Sequence, residues 1–572
     1  MKKKVYTAFI CLCCAVVSLF AQERVVELTN PNESCTSIAA GKLATTDGSV
    51  MTSQTCDGTS RTWMEVVPAQ NWSDTAKLDL YWDLRHTESK NDRLGVKLKG
   101  SIPQVPYTFA YLNTGYPCMN EKQLAMGETT IVGRKELRNP KGLFHIEDLQ
   151  GIALQRCSTA REAVLLMGRL AEQYGYRDGG ECLTVADKRE LWFFEITGAG
   201  SEDMGALWVA RRIPDDHVTV SANTPRISDV DFGDKDNYMY SEGLKEKARK
   251  LGYWDGKEPF KFWKVIHETG KKPFTIRDFF VLKTLAPSLN LTMDMEELPL
   301  SVKPEQNVSL ADMNRLLRET YEGTEWDMTK DMMVTKKIKD KDGTERDTIY
   351  KSPLAQNWMT NDMFEFLNAQ RGEKKIEKQR TISVVWCAYS FVIQCRDWLP
   401  DEVGGVCWWS EDNPGESPRV PLFAGMTDVP ESFKVCGHKR YRPDAALWTY
   451  RRTNRLAQVS WGHGRKLIEP AVLSFEQKAA DEMPLIEVIS RVNRIHRWMI
   501  RERLIATAFL LILAVLSFIY WQIWQYGIAI ILFFILLWGA GLGLILWIYR
   551  KKFLNRIQEI KKNLDELKII DS

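Results

Sequence analysis

Cys35 opens a run of small residues that leads to Asp47-Gly48 and is followed by a second strand-like run. Asp-Gly between two such runs predicts a β-hairpin, because both central positions of the favoured tight turn need a positive φ. The returning strand then brings Gln54 and Asp57 beside Cys35. A thiol next to a carboxylate is a candidate nucleophile with its orienting group. The alternative is a buried structural cysteine on a strand, and these residues alone do not separate the two.

The segment ahead of Cys35 has the features of a secretory leader. It begins with three lysines, continues as an apolar stretch from Val5 to Phe20, and has Ala21 at the expected cleavage point. We predict a signal peptide over residues 1–21 and a pro-segment over residues 22–34. Loss of both would make Cys35 the N-terminal residue. A free α-amine has a pKa of about 7.7–8.0, so one residue could supply both the nucleophile and its base.

Five blocks of residues strengthen this interpretation. They are Cys35–Gly58, Asn120–Thr130, Gly180–Ile196, Trp208–Pro225 and Arg380–Glu402. In content and order they resemble the dipeptidases of peptidase family C69, which are cysteine members of the N-terminal-nucleophile hydrolases. The likeness covers about residues 35–475.

The resemblance implies roles for particular residues. Cys35 would be the nucleophile with its own α-amine as the base, and Asp57 would hold that amine. Asn120 and Asn223 would supply amides near the oxyanion and the substrate. Arg380 would be an arginine that the wider superfamily places near the nucleophile. From their local sequence alone, Asn223 could be a turn residue and Asn120 a helix cap.

Gln54 departs from the family pattern, because many relatives carry arginine at this position. We assign Gln54 to substrate binding. Its neutral amide removes a fixed positive charge from beside the thiol. This change bears on the pKa of the thiol and on the preference for a free substrate terminus.

The elements around these blocks predict an α+β fold. Helices are expected between Ile146 and Gln173, where Thr159 and Glu162 have the spacing of a capping box. Strand-like runs recur from Leu183 to Ala222. Helix pairs beside strand runs favour two antiparallel sheets with helices outside. For residues 35–475, the resemblance implies the four-layer αββα sandwich of the N-terminal-nucleophile hydrolases.

Composition narrows the class of partner. The chain has 77 Lys and Arg against 74 Asp and Glu, and this net charge of +3 gives no indication of nucleic-acid binding. The cysteines that follow Cys35 permit disulfides in a secreted chain, but their spacing forms no dense framework, so we expect mostly free thiols. The sequence has no HExxH or similar metal spacing, and we predict neither a metal nor a cofactor. The charged run Lys336–Arg346 predicts an exposed hairpin.

The C-terminal part predicts a membrane anchor. Leu504–Tyr549 contains 46 residues without a charge or a histidine, and a single helix of that length would be roughly 69 Å long, about twice the hydrocarbon core. We therefore predict a hairpin of two transmembrane helices over residues 504–549, in contact with the lipid bilayer. A charged connector, residues 476–503, precedes it. The amphipathic tail, residues 550–572, is a candidate for homo-oligomer contacts.

Two signals for orientation disagree. A cleaved leader puts Cys35 on the extracytoplasmic side, periplasmic or extracellular, whereas the basic flanks of the hairpin favour the cytoplasm. Large domains translocate largely regardless of their charge, so we expect the catalytic domain outside.

The sequence as a whole predicts a membrane-tethered cysteine peptidase that hydrolyses dipeptides and other small peptides through a thioester at Cys35. Two alternatives stay open. One is an acylase acting on non-peptide amides, and the other is a membrane-anchored binding protein without activity.

Overall fold

A computed structural model describes residues 34–131, 133–369, 375–523 and 528–569. The predicted signal peptide and all of the predicted pro-segment except Ser34 lie outside the described residues. The chain divides into two compact units, Met1–Ala479 and Ala480–Ser572.

The described strands all belong to the first unit. In chain order they are β1 (Cys35–Ala40), β2 (Val50–Asp57), β3 (Glu65–Val67), β4 (Gln70–Asn71), β5 (Lys77–Trp82), β6 (Lys97–Pro103), β7 (Tyr107–Thr108), β8 (Tyr111–Asn113), β9 (Met119–Asn120), β10 (Ala125–Thr130), β11 (Glu181–Ala186), β12 (Leu191–Gly198), β13 (Ala206–Ile213), β14 (Val218–Ser221), β15 (Tyr238–Tyr240), β16 (Ser301–Val302), β17 (Met333–Lys339), β18 (Glu345–Lys351), β19 (Cys387–Cys395), β20 (Gly405–Glu411) and β21 (Val420–Phe423).

The described α-helices are distributed over both units. They are α1 (Ile146–Arg156), α2 (Ala160–Tyr174), α3 (Leu244–Lys250), α4 (Phe262–Ile266), α5 (Ile276–Leu285), α6 (Leu310–Leu317), α7 (Asn361–Ala369), α8 (Asp401–Gly404), α9 (Ala446–Val459), α10 (Trp461–Ile523) and α11 (Ile528–Ile569). Short 3₁₀ turns occur at Leu84–His86, Lys135–Leu137, Pro287–Leu289 and Glu431–Lys434.

Two antiparallel sheets dominate the first unit, which confirms the predicted α+β class. The first sheet has seven strands in the order β16-β14-β1-β2-β19-β20-β21, and the second has eight in the order β15-β13-β12-β11-β10-β9-β8-β3. Helix α2 packs on strands β11–β13 of the second sheet. Helices α5, α6 and α9 contact strands of the first sheet.

The two sheets approach each other closely around β10. The Thr184 hydroxyl lies 2.6 Å from the hydroxyls of both Ser37 and Thr52, which belong to the other sheet. A Cβ added to Gly127 would lie 2.2 Å from the Ser53 carbonyl oxygen. Only glycine fits such a contact, and it keeps the next residue of β10 close to the first sheet.

The predicted hairpin is confirmed, but the tight turn at its tip is wrong. Strands β1 and β2 pair antiparallel with Cys35 opposite Cys56. Nine residues connect them rather than two. The connection is long because its backbone bonds elsewhere, for example through the Leu43 N–H to the Asp215 carbonyl at 2.8 Å. Of the predicted turn pair Asp47-Gly48, only the glycine has a positive φ, of 81°.

Two further local predictions are confirmed. At the start of α2, the Thr159 side chain accepts a hydrogen bond from the Glu162 backbone, and the Glu162 carboxylate accepts one from the Thr159 backbone. The charged run Lys336–Arg346 lies in the hairpin of β17 and β18, with Gly343 at a φ of 87°.

The C-terminal apolar stretch is helical wherever it is described. The predicted connector and first span lie on α10, and the second span lies on α11. Residues 524–527, the predicted join, are outside the described residues. Among those described, Leu532–Lys552 is long and apolar enough to cross a membrane by length and composition, and it overlaps the second predicted span.

Candidate active site

Cys35 lies at the start of an inner strand, with β14 on one side and β2 on the other. It is 4% exposed. Two sets of polar groups surround it. We call the groups around its backbone nitrogen and carbonyl the amine side; these are Asp57, Asn223, Arg277 and Arg380. We call Glu128, which accepts a hydrogen bond from the sulfur, and its partners Gln54 and Glu181 the thiol side.

Asp57 and Arg380 meet next to Ser34, the residue before Cys35. The Asp57 backbone N–H donates to the Ser34 carbonyl at 3.1 Å. Arg380 forms an ion pair with Asp57 Oδ2, and the Ser34 hydroxyl donates to the same oxygen at 3.4 Å. The other oxygen, Oδ1, is buried and has no hydrogen-bond partner within the part of the chain that the structure describes. Asp57 thus contacts the chain entering Cys35 and leaves the thiol to other groups.

Asn223 and Arg277 fix the backbone of Cys35. Asn223 follows β14 with a left-handed φ of 67°, a region where asparagine is favoured over most residues. Its Oδ1 accepts from the Cys35 N–H at 3.1 Å and from Arg277 Nη2 at 2.8 Å. Arg277 Nη1 also donates to the Cys35 carbonyl at 2.7 Å. The structure therefore brings the predicted Asn223 to Cys35 and adds Arg277.

Sequence reasoning missed Arg277 because it lies far from Cys35 along the chain. It is the second residue of α5, whose start is fixed by a capping box of Thr275 and Asp278. That pattern predicts the helix but not what the arginine contacts. Burial lowers the pKa of Arg277 to about 10, so the guanidinium stays charged at neutral pH.

On the thiol side, Gln54 holds Glu128 against Cys35. Gln54 Nε2 donates to Glu128 Oε2 at 2.8 Å, and Gln54 Oε1 accepts the Glu128 backbone N–H at 3.1 Å. The Cys35 thiol donates to the same Glu128 oxygen at 3.6 Å. Gln54, which the sequence assigns to substrate binding, is fully buried. Glu128 lies within one of the resembling blocks, but sequence reasoning gave it no role.

The surroundings raise the pKa values of the central acids. A side-chain hydrogen bond with Cys56, burial and the charge of Glu128 raise the pKa of the Cys35 thiol well above its ordinary value. Burial raises the pKa of Glu128 to about 7. Burial also raises the pKa of Asp57, although the charges of Arg380 and Arg277 oppose this. In the uncleaved chain, the thiol therefore stays protonated at neutral pH and needs a base or a nearby cation to react.

Asn120 is the predicted site residue that the structure does not bring to Cys35. Its Nδ2 donates to the carbonyls of Leu154 and Cys157 at 2.8 and 2.9 Å. Its Oδ1 accepts the backbone N–H groups of Lys122 and Leu124, both at 3.0 Å. These four bonds fix the turn between β9 and β10 against the end of α1.

The described residues include no cluster of three or more His, Cys, Asp and Glu side chains that could hold a metal ion. The nine cysteines in this part of the chain are buried and unpaired.

Known proteins resemble this chain over the same region. The sequence profile of peptidase family C69 matches residues 34–472. A probable dipeptidase of Latilactobacillus sakei is 25% identical over 447 residues, which cover 75% of this chain and 82% of that protein. A probable dipeptidase of Salmonella dublin is 28% identical over 286 residues, or 49% and 54% of the two chains. Dipeptidase A of Lactobacillus helveticus is 21% identical over 490 residues, or 82% and 91%. The matched range begins directly before Cys35 and includes every residue of the amine and thiol sides.

Proposed function

The chain belongs to peptidase family C69 and is a peptidase, and we propose that it hydrolyses dipeptides with Cys35 as the nucleophile. Support comes chiefly from the position of Cys35, where the backbone nitrogen and the sulfur each contact a separate set of polar groups. A residue that is to act as both base and nucleophile needs this separation, because the two atoms must be oriented independently.

The first step proposed is removal of residues 22–34, which turns the Cys35 nitrogen into an α-amine. As an ammonium, this group would lower the pKa of the neighbouring thiol, and as a neutral amine it would accept the thiol proton. Asn223 Oδ1, which now accepts the Cys35 N–H, would keep its place as acceptor. Asp57 Oδ1, which lacks a partner among the described residues, is a second acceptor for the new ammonium.

The chemical step then follows in two halves. The thiolate attacks the carbonyl carbon of the substrate, the S–C bond forms, and the C–N bond breaks as the α-ammonium gives its proton to the leaving nitrogen. Water then adds to the thioester with the α-amine as base, and the C–S bond breaks. Arg277 would hold the Cys35 carbonyl in place throughout, so that the nucleophile does not move with the substrate.

We propose the finer architecture on the same basis. The two facing sheets, with α2 on one and α5, α6 and α9 on the other, support a four-layer αββα sandwich for residues 35–475. The apolar segment Leu532–Lys552 supports a membrane tether, with two spans within residues 504–549. In this proposal, the leader is cleaved and the catalytic domain lies on the extracytoplasmic side.

The N-terminal sequence of the mature protein, isolated from membranes, tests the mechanism. The wild type should begin at Cys35, and Cys35→Ala should begin at or near Gln22 because it cannot process itself. Cys157→Ala, which removes another buried thiol, is the control and should begin at Cys35. If wild type and Cys35→Ala both begin near Gln22, Cys35 has no free amine and the mechanism fails.

A further inference from the structure

Glu128 and Glu181 form a buried acidic pair beside the sulfur of Cys35. They lie on the adjacent strands β10 and β11, where Glu181 pairs with Thr130, two residues beyond Glu128. Their exposed fractions are 0% and 2%. Two buried carboxyl groups side by side are costly unless each charge is compensated. The pair therefore needs an explanation that the nucleophile's own chemistry does not give.

Neutral groups donate hydrogen bonds to Glu128, the two carboxyl groups hydrogen-bond to each other, and the charge of the Arg85 guanidinium opposes the rise in both pKa values. Glu128 Oε2 accepts from Gln54 and from the Cys35 thiol, and Oε1 accepts from the Thr130 hydroxyl at 3.3 Å. Glu181 Oε2 is buried and has no hydrogen-bond partner among the described residues. Gln54 provides two of the hydrogen bonds to Glu128 without a charge. The thiol side thus has carboxylate acceptors for a further cation, whereas Asp57 on the amine side already pairs with the cation of Arg380.

We propose that Glu128, with Glu181 behind it, binds the α-ammonium group of the peptide substrate. This inference rests on the proposed role of Cys35 as the nucleophile. It assigns the site a substrate class, peptides with a free amino terminus, and it names the carboxylate that recognises that terminus. A neutral acyl group at the same position would form no ion pair with Glu128.

The geometry allows both contacts at once. A carbonyl carbon poised for attack lies about 3–3.5 Å from the sulfur. The α-nitrogen of the same residue is two bonds further, about 2.5 Å from that carbon. Glu128 Oε2 is 3.6 Å from the sulfur, so the ammonium can reach it while the carbonyl faces the thiolate. Thr130, whose hydroxyl contacts Glu128, is exposed to solvent, whereas Glu128 itself is buried.

The charges around the pair favour a bound cation. Burial and the neighbouring Glu128 raise the pKa of Glu181 well above its ordinary value, and burial raises the pKa of Glu128 to about 7. The charge of Arg85 opposes the rise in both pKa values. The other titratable groups that interact with the pair are Tyr116, Tyr176, Tyr389, Asp178, Cys35 and Cys182. An arriving ammonium favours the ionised carboxylate, so substrate binding should release a proton from the pair.

Matched substrates and variants test this assignment. Steady-state kcat and KM are measured for leucyl-leucine and for N-acetyl-leucyl-leucine with wild type, Glu128→Gln and Glu181→Gln. The control is Glu411→Gln, since Glu411 is a buried carboxyl three strands away from β1 in the first sheet. Wild type and control should prefer the free amine. In Glu128→Gln this preference should fall by about 10- to 150-fold, mainly through a higher KM, because a hydrogen bond to a charged group is lost.

A second readout does not depend on turnover. Leucine amide should protect the Cys35 thiol of the mature protein from iodoacetamide, and N-acetyl-leucine amide should not. Glu128→Gln should lose the protection. If protection holds while no peptide is cleaved, the ammonium subsite stands and the proposed hydrolysis fails.

Two results would contradict the assignment of Glu128 to the substrate ammonium. If Glu128→Gln slows both substrates by the same factor, Glu128 acts on the thiol and not on the substrate, and the subsite is overturned. Equal rates of the wild type on free and acetylated dipeptides would overturn it as well. A variant that processes normally and cleaves the acetylated substrate at the wild-type rate is folded, so a selective loss on the free amine cannot be attributed to misfolding.

Discussion

The amine side and the thiol side of Cys35 contain similar numbers of acidic and amide groups, but they treat charge in opposite ways. On the amine side, Asp57 pairs with Arg380, and Arg277 bonds to both Asn223 and Cys35. On the thiol side, Glu128 accepts hydrogen bonds from the neutral Gln54 and Thr130, and it shares the charge of Arg85 with Glu181. One side is a compensated network built into the fold, and the other has two buried carboxyl groups near one guanidinium.

This difference matches the proposed roles of the two sides, which are to hold the Cys35 backbone and to bind the substrate. The amine side positions a part of the protein itself, so its charges are satisfied permanently. The thiol side would meet a substrate that comes and goes, so two buried acids with one neighbouring guanidinium cost stability but give specificity. Substitutions on the amine side should therefore cost both stability and activity, whereas those on the thiol side should alter selectivity and pH dependence.

Arg277→Met should have the largest effect. It removes the donors to the carbonyls of Cys35 and Ala222, and each buried acceptor left unpaired costs about 1–3 kcal/mol. We expect the free energy of unfolding, measured in urea, to fall by about 3 kcal/mol. We also expect kcat/KM on leucyl-leucine to fall by about 10²–10³-fold, because Cys35 loses its orientation.

Arg134→Met is the matched control for this loss. Arg134 also donates to two backbone carbonyls, those of Val265 and Lys264, but it lies outside both sides of the site. Its kcat/KM should stay within about threefold of wild type. Equal loss of activity in the two variants would mean that the amine side acts only through global stability.

The sequence specified the local parts of this site well. The Asp47-Gly48 pair predicted a hairpin that returns Gln54, Cys56 and Asp57 to the side of Cys35, and the capping box at Thr159 predicted the start of α2. Both depend on residues within about twenty positions of each other. The loop between β1 and β2 could not be predicted in detail, because its backbone bonds to Asp215, which is remote in the chain.

Contacts between residues that are remote in the chain explain why the other features of the site could not be predicted from the sequence. Arg277 reaches Cys35 only because α5 packs beside β14, and no spacing near either residue shows this. Glu128 occupies a strand whose hydrogen bonds to Gln54 cross from one sheet to the other. Asn120 is the opposite case. Its residue type fits either a catalytic amide or a turn residue, and the structure shows that its side chain forms four hydrogen bonds to the backbone.

The pH dependence of stability tests the effect of burial on Glu128. Burial raises the pKa of Glu128 from 4.5 to about 7, so between these pH values the native state keeps a proton that the unfolded chain has lost. The free energy of unfolding therefore falls as pH rises through this window and levels off above about pH 7. Urea denaturation should show a fall that is larger in the wild type than in Glu128→Gln by about 1–3 kcal/mol. Both proteins share the contribution of Glu181, Glu195 and Glu416, whose pKa values are also raised.

Glu162→Gln tests the opposite pH dependence, because the pKa of Glu162 is lowered in the folded state. Hydrogen bonds from Ser158 and Thr159 lower the pKa of Glu162 despite the opposing effect of burial. Its contribution to stability is present above the unfolded pKa and is lost as pH falls through the lower, folded value.

Parallel stability curves for wild type and Glu128→Gln between pH 4.5 and 7 would contradict the prediction for Glu128, because they would show that its pKa is not raised in the folded state.

The smallest effect should come from Thr130→Val, which separates the two sides at a residue that they share. The Thr130 carbonyl accepts a hydrogen bond from Asn223 on the amine side, whereas its hydroxyl donates to Glu128 on the thiol side. Valine keeps the first contact and loses the second. Because the hydrogen bond from the Thr130 hydroxyl helps to lower the pKa of Glu128, that pKa should rise in the variant. The acid limb of kcat/KM for leucyl-leucine should therefore move upward by roughly half a pH unit. Thr130→Ser should restore it, and the limb for N-acetyl-leucyl-leucine should not move; a shift of both limbs would place the Thr130 hydroxyl in the machinery of the thiol itself.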